Sequence, residues 1–238
     1  MSTPHLPHNY LLSHLPDADY RRLSASMERV DMTLSDIVYE TGVDLKYAYF
    51  PVDCIVSLLS VMEDGDSAEI AIVGNEGVIG ISQLMGAGST ISRAIVQCKG
   101  TALRMPLETL NDEFKRGGAM QALLLRYAQA LMAQITQTAA CNLHHSVEQQ
   151  LSRWLLLSLD RLPVTQMMMT DGLIANMLGV RRAGTTDAVG KLTDAGLIRY
   201  QDGCISVLDR AGLERLSCEC YAVVRKEFDR LLPGYGMP

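Results

Sequence analysis

The stretch 170–198, TDGLIANMLGVRRAGTTDAVGKLTDAGLI, constrains the fold of this chain more than any other. Thr170 suits a helix N-cap, because its hydroxyl can accept from an orphan amide of the first turn. Ile174, Met177 and Leu178 then recur at helical spacing on one face. Ala175 is small where a second helix must approach closely. Gly179 can adopt the left-handed conformation that ends a helix and reverses the chain. A second helix follows, with Thr185, Val189 and Leu192 directed inward and Arg181 and Arg182 at its exposed start. An ordinary helical hairpin in a core has the same pattern. The residues that follow favour a helix-turn-helix, whose second helix enters the DNA major groove by its N-terminal residues. Leu197-Ile198-Arg199-Tyr200, Gln201-Asp202-Gly203 and Cys204-Ile205-Ser206-Val207-Leu208 read as strand, turn and strand, a hairpin around a glycine-containing turn. Two helices followed by a hairpin make a winged helix-turn-helix.

The chain has 238 residues, enough for two domains. Its 48% apolar and 20% charged content is that of a soluble globular protein. No apolar run approaches the roughly 18 residues that span a membrane. The first residues, MSTPHLPHNY, lack the basic and apolar blocks of a signal peptide, so a cytoplasmic protein with no membrane partner is expected. The net charge of −6 is unevenly placed: residues 1–142 hold 10 basic and 16 acidic side chains, and residues 143–238 hold 11 of each. A neutral C-terminal part can still present a local positive face, but its nonspecific affinity for phosphates should be modest. No Ser/His/Asp arrangement, P-loop, HExxH or paired-carboxylate site stands out, so an enzyme is not expected.

The six cysteines, Cys54, Cys98, Cys141, Cys204, Cys218 and Cys220, form no CxxC pair. Cys218-Glu219-Cys220 is tighter than the usual zinc or iron–sulfur ligand spacing. Most of the cysteines therefore read as small buried apolar residues, and no disulfide framework or metal site is expected.

After a helical lead-in at 9–26, short β-rich runs at 28–34, 37–39, 47–51, 55–62, 68–73, 78–80, 92–98 and 101–105 are separated by turns, among them Gly86-Ala87-Gly88. Such even spacing suggests a sandwich or barrel. Pro106 suits the first turn of a helix. A long helix follows over 119–142, on which Leu124, Ala128, Leu131, Ile135, Thr138 and Asn142 alternate four and three apart. That is an a/d seam of about three heptads, expected to pair two copies of the chain; one face of a core helix is the alternative. Ser146 should cap the next helix, whose buried stripe is Val147, Leu151, Trp154, Leu155, Leu159 and Leu162, with Pro163 near its stop. A last helix is expected over 210–232.

A β-rich domain, a long pairing helix and a winged helix in that order resemble the Crp/Fnr family of bacterial transcription regulators, relatives of the cyclic-AMP receptor protein. The resemblance runs from about Leu11 to Leu232. Its most specific stretches are SVEQQLSRWL (146–155) and MTDGLIANMLGVRR (169–182), with EIAIVGNEGVIG (69–80) similar to a large subgroup. It implies an α+β fold: an N-terminal β-roll over 1–118, like a cyclic-nucleotide-binding jelly roll, a dimerisation helix over 119–142 and a winged helix-turn-helix over 143–238. The expected partners are a palindromic double-stranded DNA operator, a second copy of the chain, and RNA polymerase if the protein activates.

Nucleotide-binding members hold their ligand with a Gly-Glu pair, a short helix and an Arg-Ser/Thr/Ala pair. Gly80, Arg93 and Ala94 match, but Ile81 stands where the ribose-binding glutamate would be. A buried hydroxyl without a partner costs on the order of 1–3 kcal/mol, so cyclic AMP is not the expected ligand. Arg93 can pair with a phosphate or merely tie the loop to the barrel. A cyclic dinucleotide or another small effector stays open, with Gly80, Ile81, Arg93, Ala94 and Thr136 as pocket candidates. A DNA-binding regulator with a degenerate, ligand-free sensor domain is the other reading, and a non-catalytic signalling module is a reading of a different class. Cysteine-ligated clusters near the N-terminus are not implied, since no cysteine precedes Cys54; nothing among His5, His8, His14, His144 and His145 points to haem.

On the DNA side the family's base-reading arginine, glutamate and second arginine fall on Arg182, Ala183 and Asp187. Arg182 can pair with guanine O6 and N7; the Ala183 methyl suits thymine; Asp187 can accept from cytosine N4. Arg181 is an added cation for phosphate or base. Thr170, Thr186 and Lys191 complete the expected DNA-facing set. The dimer interface implied is Leu124, Ala128, Leu131, Ile135 and Thr138.

Overall fold

The structure, a computed structural model, describes residues 9–86, 89–162 and 166–235. Pro163, His5, His8 and the middle of the 86–88 turn lie outside them, so the helix stop expected at Pro163 is not addressed.

Two short helices, α1 (Tyr10–Ser13) and α2 (Asp17–Ser24), lead into the N-terminal domain. Asn9 pins them: its side-chain oxygen accepts from Leu12 N at 3.3 Å, and its amide donates to Pro51 O and Gly77 O at 3.0 and 2.9 Å. The β-roll has two antiparallel sheets. One orders β1 (Glu28–Met32), β7 (Gly100–Pro106) and β3 (Tyr47–Pro51) side by side. The other orders β2 (Ile37–Tyr39), β6 (Ser92–Cys98), β4 (Ile55–Val61) and β5 (Ser67–Val73). The expected strand at 78–80 is a correction: it makes only an isolated bridge, Ile79 to Tyr49, before the single-turn helix α3 (Ile81–Leu84). Gly80 caps that helix at φ +102°, a conformation side chains rarely adopt, and so the extended run stops there.

After α4 (Leu107–Arg116) comes the long helix α5 (Ala119–His144). Here the residues of the expected dimer seam are covered by their own chain. Leu124, Ala128, Leu131 and Thr138 are buried within their own chain, and Ile135 packs against the same core. The exposed apolar side chains are Leu125, Met132 and Leu143, at 53%, 55% and 78% of full exposure. With Gln129, Thr136 and Ala139 they form a second four–three stripe, shifted by one residue. The helix is apolar on more than one side, so its period alone cannot say which side meets the body of the chain.

The C-terminal domain begins with α6 (Val147–Leu159), capped by a reciprocal pair: Gln149 N donates to Ser146 Oγ at 3.3 Å and Ser146 N to Gln149 Oε1 at 3.2 Å. Helices α7 (Asp171–Leu178) and α8 (Arg182–Asp194) follow, then β9 (Ile198–Gln201) and β10 (Cys204–Val207). Asp202 and Gly203 both take positive φ, +52° and +72°, the two-residue turn whose twist suits a tight hairpin. A third strand, β8 (Gln166–Met168), pairs with β10 and widens the wing. The expected last helix is in fact two, α9 (Arg210–Leu216) and α10 (Glu219–Leu231). Ser217 between them is extended at ψ 156°, and Cys218 caps the second. The break turns α10 back along α5.

The two domains share buried polar contacts. Arg161, fully buried, donates to Glu76 Oε1, Gln134 Oε1 and Leu157 O, each at 2.8 Å, and lies 5.1 Å from the Phe228 ring centre. Trp154 Nε1 donates to Glu69 Oε1 at 2.8 Å, and Ser57 Oγ to Glu69 Oε2 at 2.5 Å. Burial pushes the Glu69 carboxyl up to about 8.

Candidate nucleic-acid interface

Helix α7 starts where the sequence places it. Thr170 Oγ1 accepts from Leu173 N at 3.3 Å, and Gly179 ends the helix in the left-handed region at φ +65°. Gly179 also lies close to β5: a Cβ there would stand 3.2 Å from the Ala68 Cβ. Ile174, Ala175, Met177 and Leu178 are buried from α7, and Thr185, Val189 and Leu192 from α8. That packing fixes the rotation of α8 and leaves one of its sides to solvent.

Arg181, Arg182, Ala183, Thr186, Asp187 and Lys191 all lie on that exposed side. Arg181 is the N-cap and Arg182 the first residue of α8, so both cations stand at the end that reaches a groove floor. The Arg182 guanidinium rests over Gly172, where a Cβ would approach it to 3.0 Å. Thr170 is exposed beside the start of α7. Arg199 on β9 adds an exposed cation on the wing.

Lys191 is less free than its sequence position suggests. Its ammonium contacts Asp187 Oδ2 at 2.7 Å and Glu148 Oε1 at 2.6 Å. The Lys191 hydrogen bond holds the Glu148 carboxyl at about 2. Glu148 stands 43 positions away, and nothing local in the sequence signals the pairing. At the far end of α8, the two carboxylates offset the cation, so the positive end of the exposed face is its N-terminus.

The effector-pocket candidates are only partly gathered. Gly80 turns the chain into α3, Ile81 is buried in the core, and Ala94 is buried on β6. Arg93 Nε reaches Glu40 Oε2 at 2.8 Å. Both side chains are partly exposed, and such a pair contributes about 0–1 kcal/mol. Tyr39, Thr90 and Ser92 form a buried hydroxyl chain beside this strand, with oxygen separations of 3.3 and 3.0 Å. Thr136 does not join the group by burial: it is exposed on the outward stripe of α5.

The cysteines divide in two. Burial pushes the Cys54 and Cys98 thiols up to about 12, as inert packing residues would be. Cys204 is partly buried on β10; the sequence predicts most of the cysteines to be small buried apolar residues and gives no sign that the remaining three gather. Cys141, Cys218 and Cys220 pack on one another beside His145. CxxC spacing does not reveal them, because α5 and the α9–α10 turn bring together positions 77 apart. The available signal was local: Cys141 and His145 are four apart on one helix.

A long helix joins a β-roll to a winged helix-turn-helix. Residues 149–216 match the family described as the Crp-like helix-turn-helix domain. No curated protein matches the sequence. The structure is similar to FixK2 from Bradyrhizobium japonicum, at 17% identity and TM-score 0.67, over 81% of this chain and 98% of that one. It is similar to CLP of Xanthomonas campestris, described as a c-di-GMP responsive global regulator, at 15% identity and TM-score 0.66, over 82% and 100%. A CRP-family transcriptional regulator from Thermus thermophilus matches at 17% identity and TM-score 0.65, over 80% and 96%. Residues 149–216 thus match a Crp-like helix-turn-helix domain, and the chain shares its fold with a solved CRP-family regulator, as the sequence resemblance implied. Among the described residues no helix is long and apolar enough to cross a membrane.

Proposed function

We propose that the protein is a homodimeric, sequence-specific transcription regulator acting in the cytoplasm on a palindromic DNA operator. The observation that carries this reading is the exposed face of α8, with Arg181, Arg182, Ala183, Thr186 and Asp187 at its groove-entering end. Arg182 reads a guanine through O6 and N7, Ala183 offers a methyl, and Asp187 offers an acceptor. Arg181, and Thr170 at the start of α7, serve phosphates, and Lys191 does so only on leaving Glu148 and Asp187. The outward stripe of α5, Leu125, Met132 and Leu143, pairs two copies, which fits two recognition helices onto two half-sites. Contact with RNA polymerase follows only if the protein activates.

An effector, on this reading, enters beside Gly80, Arg93 and Ala94. Arg93 exchanges Glu40 for a phosphate of a cyclic dinucleotide or similar anion. Cyclic AMP fits poorly because Ile81 offers no acceptor for its ribose. The Arg93–Glu40 pair supports the second reading, a silent sensor domain, since the cation already has its anion.

Binding-site selection with the full chain, followed by salt-dependent gel shifts, tests the function. A palindromic consensus bound as a dimer is expected. Binding that is equal on all sequences overturns sequence-specific regulation; effector dependence of the shift separates the two sensor readings.

A further inference from the structure

We propose that Cys141, His145, Cys218 and Cys220 form a tetrahedral site for a thiophilic divalent cation, zinc, which ties the end of the long helix to the C-terminal helix. One sulfur or nitrogen from each residue lies within 4.8 Å of all the others. Cys141 Sγ and Cys218 Sγ are 3.5 Å apart, and Cys220 Sγ is 3.5 Å from His145 Nδ1. A zinc ion with bonds of about 2.3 Å to sulfur and about 2.0 Å to nitrogen sets edges of roughly 3.5–3.8 Å between its ligands. The set therefore needs only a small contraction to close on an ion. Three thiolates and one imidazole are a donor set of structural zinc sites, and soft tetrahedral ligands of this kind select zinc over harder cations.

The surroundings fit the same occupant. His145 turns its other nitrogen, Nε2, toward Glu219 Oε2 at 3.3 Å, the carboxylate support that ligating histidines commonly have. Gln137 Nε2 donates to Cys220 Sγ at 3.1 Å. Zinc with three thiolates and a neutral imidazole carries one negative charge. The Arg153 guanidinium is buried nearby, bonded through one nitrogen to Thr138 Oγ1 at 3.2 Å, and its Nε has no partner. Thr138 lies three residues before Cys141 on α5, and among the described residues Arg153 has no carboxylate in ion-pair contact. An anionic site one helical turn beyond Thr138 sets a negative charge near this cation.

The three cysteines are all buried, and they form a packed group apart from the main core. Their places in the fold give the ion a mechanical role. Cys141 is in the last turn of α5 and His145 is its C-cap; Cys218 caps α10 and Cys220 is in its first turn. Helix α6 begins two residues after His145. An ion bound here fixes the joint through which α5 holds the DNA-binding domain.

The test uses the reduced full chain, freed of metal, titrated with cobalt(II) and then zinc. Expected are one cobalt per chain, the intense visible bands and thiolate charge transfer of a tetrahedral sulfur-rich site, displacement by zinc, and a zinc-dependent rise in melting temperature. Cys141→Ser with Cys218→Ser should abolish all four signals, while Cys54→Ser should retain them. Glu219→Gln should keep the spectrum but weaken the affinity about 10- to 100-fold. Circular dichroism establishes that each variant is folded. A folded wild-type chain that takes up no stoichiometric cobalt or zinc overturns the proposal. So does cobalt binding unchanged in the double variant, a Cys141–Cys218 disulfide as the only chemistry of the pair, or a purified chain carrying iron and sulfide on these residues. None of these measurements involves DNA, so their failure is distinct from a failure of the regulatory reading.

Discussion

Arg182 stands at the first position of α8, exposed, with its guanidinium laid over Gly172. A fork of this kind suits the two acceptors of one guanine, a contact worth roughly 1–3 kcal/mol of discrimination. Arg182→Ala is expected to flatten the preference at one guanine of each half-site in a binding-site selection. Arg181→Ala should weaken all sequences about equally and reduce the salt slope. An unchanged consensus for the Arg182 variant would show that this side chain does not read bases. Glu69 makes a different kind of prediction. Its carboxyl is raised by burial from an ordinary carboxylate value to about 8. The folded chain then holds a proton that the unfolded chain has lost, so stability falls as pH rises from about 4.5 toward 8. Glu69→Gln keeps an acceptor for Trp154 and removes the charge. Urea unfolding across this range should show the wild type weakening and the variant nearly flat, with the variant more stable at pH 8 by at least about 1 kcal/mol. Parallel pH profiles would mean that Glu69 titrates normally.

Among elements, α5 decides the most. Its inner seam of Leu124, Ala128 and Leu131 serves the body of its own chain, and its outer stripe of Leu125, Met132 and Leu143 is open. The two faces predict opposite phenotypes. Met132→Glu should leave the chain folded but shift sedimentation from dimer to monomer, since two carboxylates would meet across the two-fold axis. Leu131→Glu should instead lower stability outright, by several kcal/mol, because a charge enters the core. Equal sedimentation of wild type and Met132→Glu would exclude the outer stripe as the pairing surface. The helix-turn-helix, by contrast, was readable almost to the residue. Thr170, Gly179 and the Asp202-Gly203 turn act on their immediate neighbours, and such effects survive in any context. The last helix was misread because its apolar period continues across Ser217 and Cys218, while the break depends on where α10 must dock.

At the scale of the molecule, a buried ion pair joins the β-roll to the C-terminal part, beside the Trp154–Glu69 contact. Arg161 and Glu76 are both fully buried and come from the DNA-binding domain and the β-roll. Removing one member of such a pair leaves an uncompensated charge and costs about 3–5 kcal/mol. Arg161→Ala should lose that much in urea unfolding, with the β-roll and DNA-binding domain no longer melting as one unit. A loss below about 1 kcal/mol would mean that the pair does not hold the interface. The sequence by itself determined the order of the elements apart from α3, β8 and the α9–α10 break, the caps of α6 and α7, the hairpin turn of the wing, the strands of the roll apart from 78–80, and the exposed arginines at the start of α8. Each of these rests on spacing and on contacts within a few residues. Only the tertiary structure decided which side of α5 faces inward, that Glu148 engages Lys191, that Arg161 meets Glu76, and that Cys141 and His145 meet Cys218 and Cys220. Those partners lie 43 to 85 positions apart along the chain. A periodic pattern shows that a face must be covered, but packing of the whole chain selects what covers it.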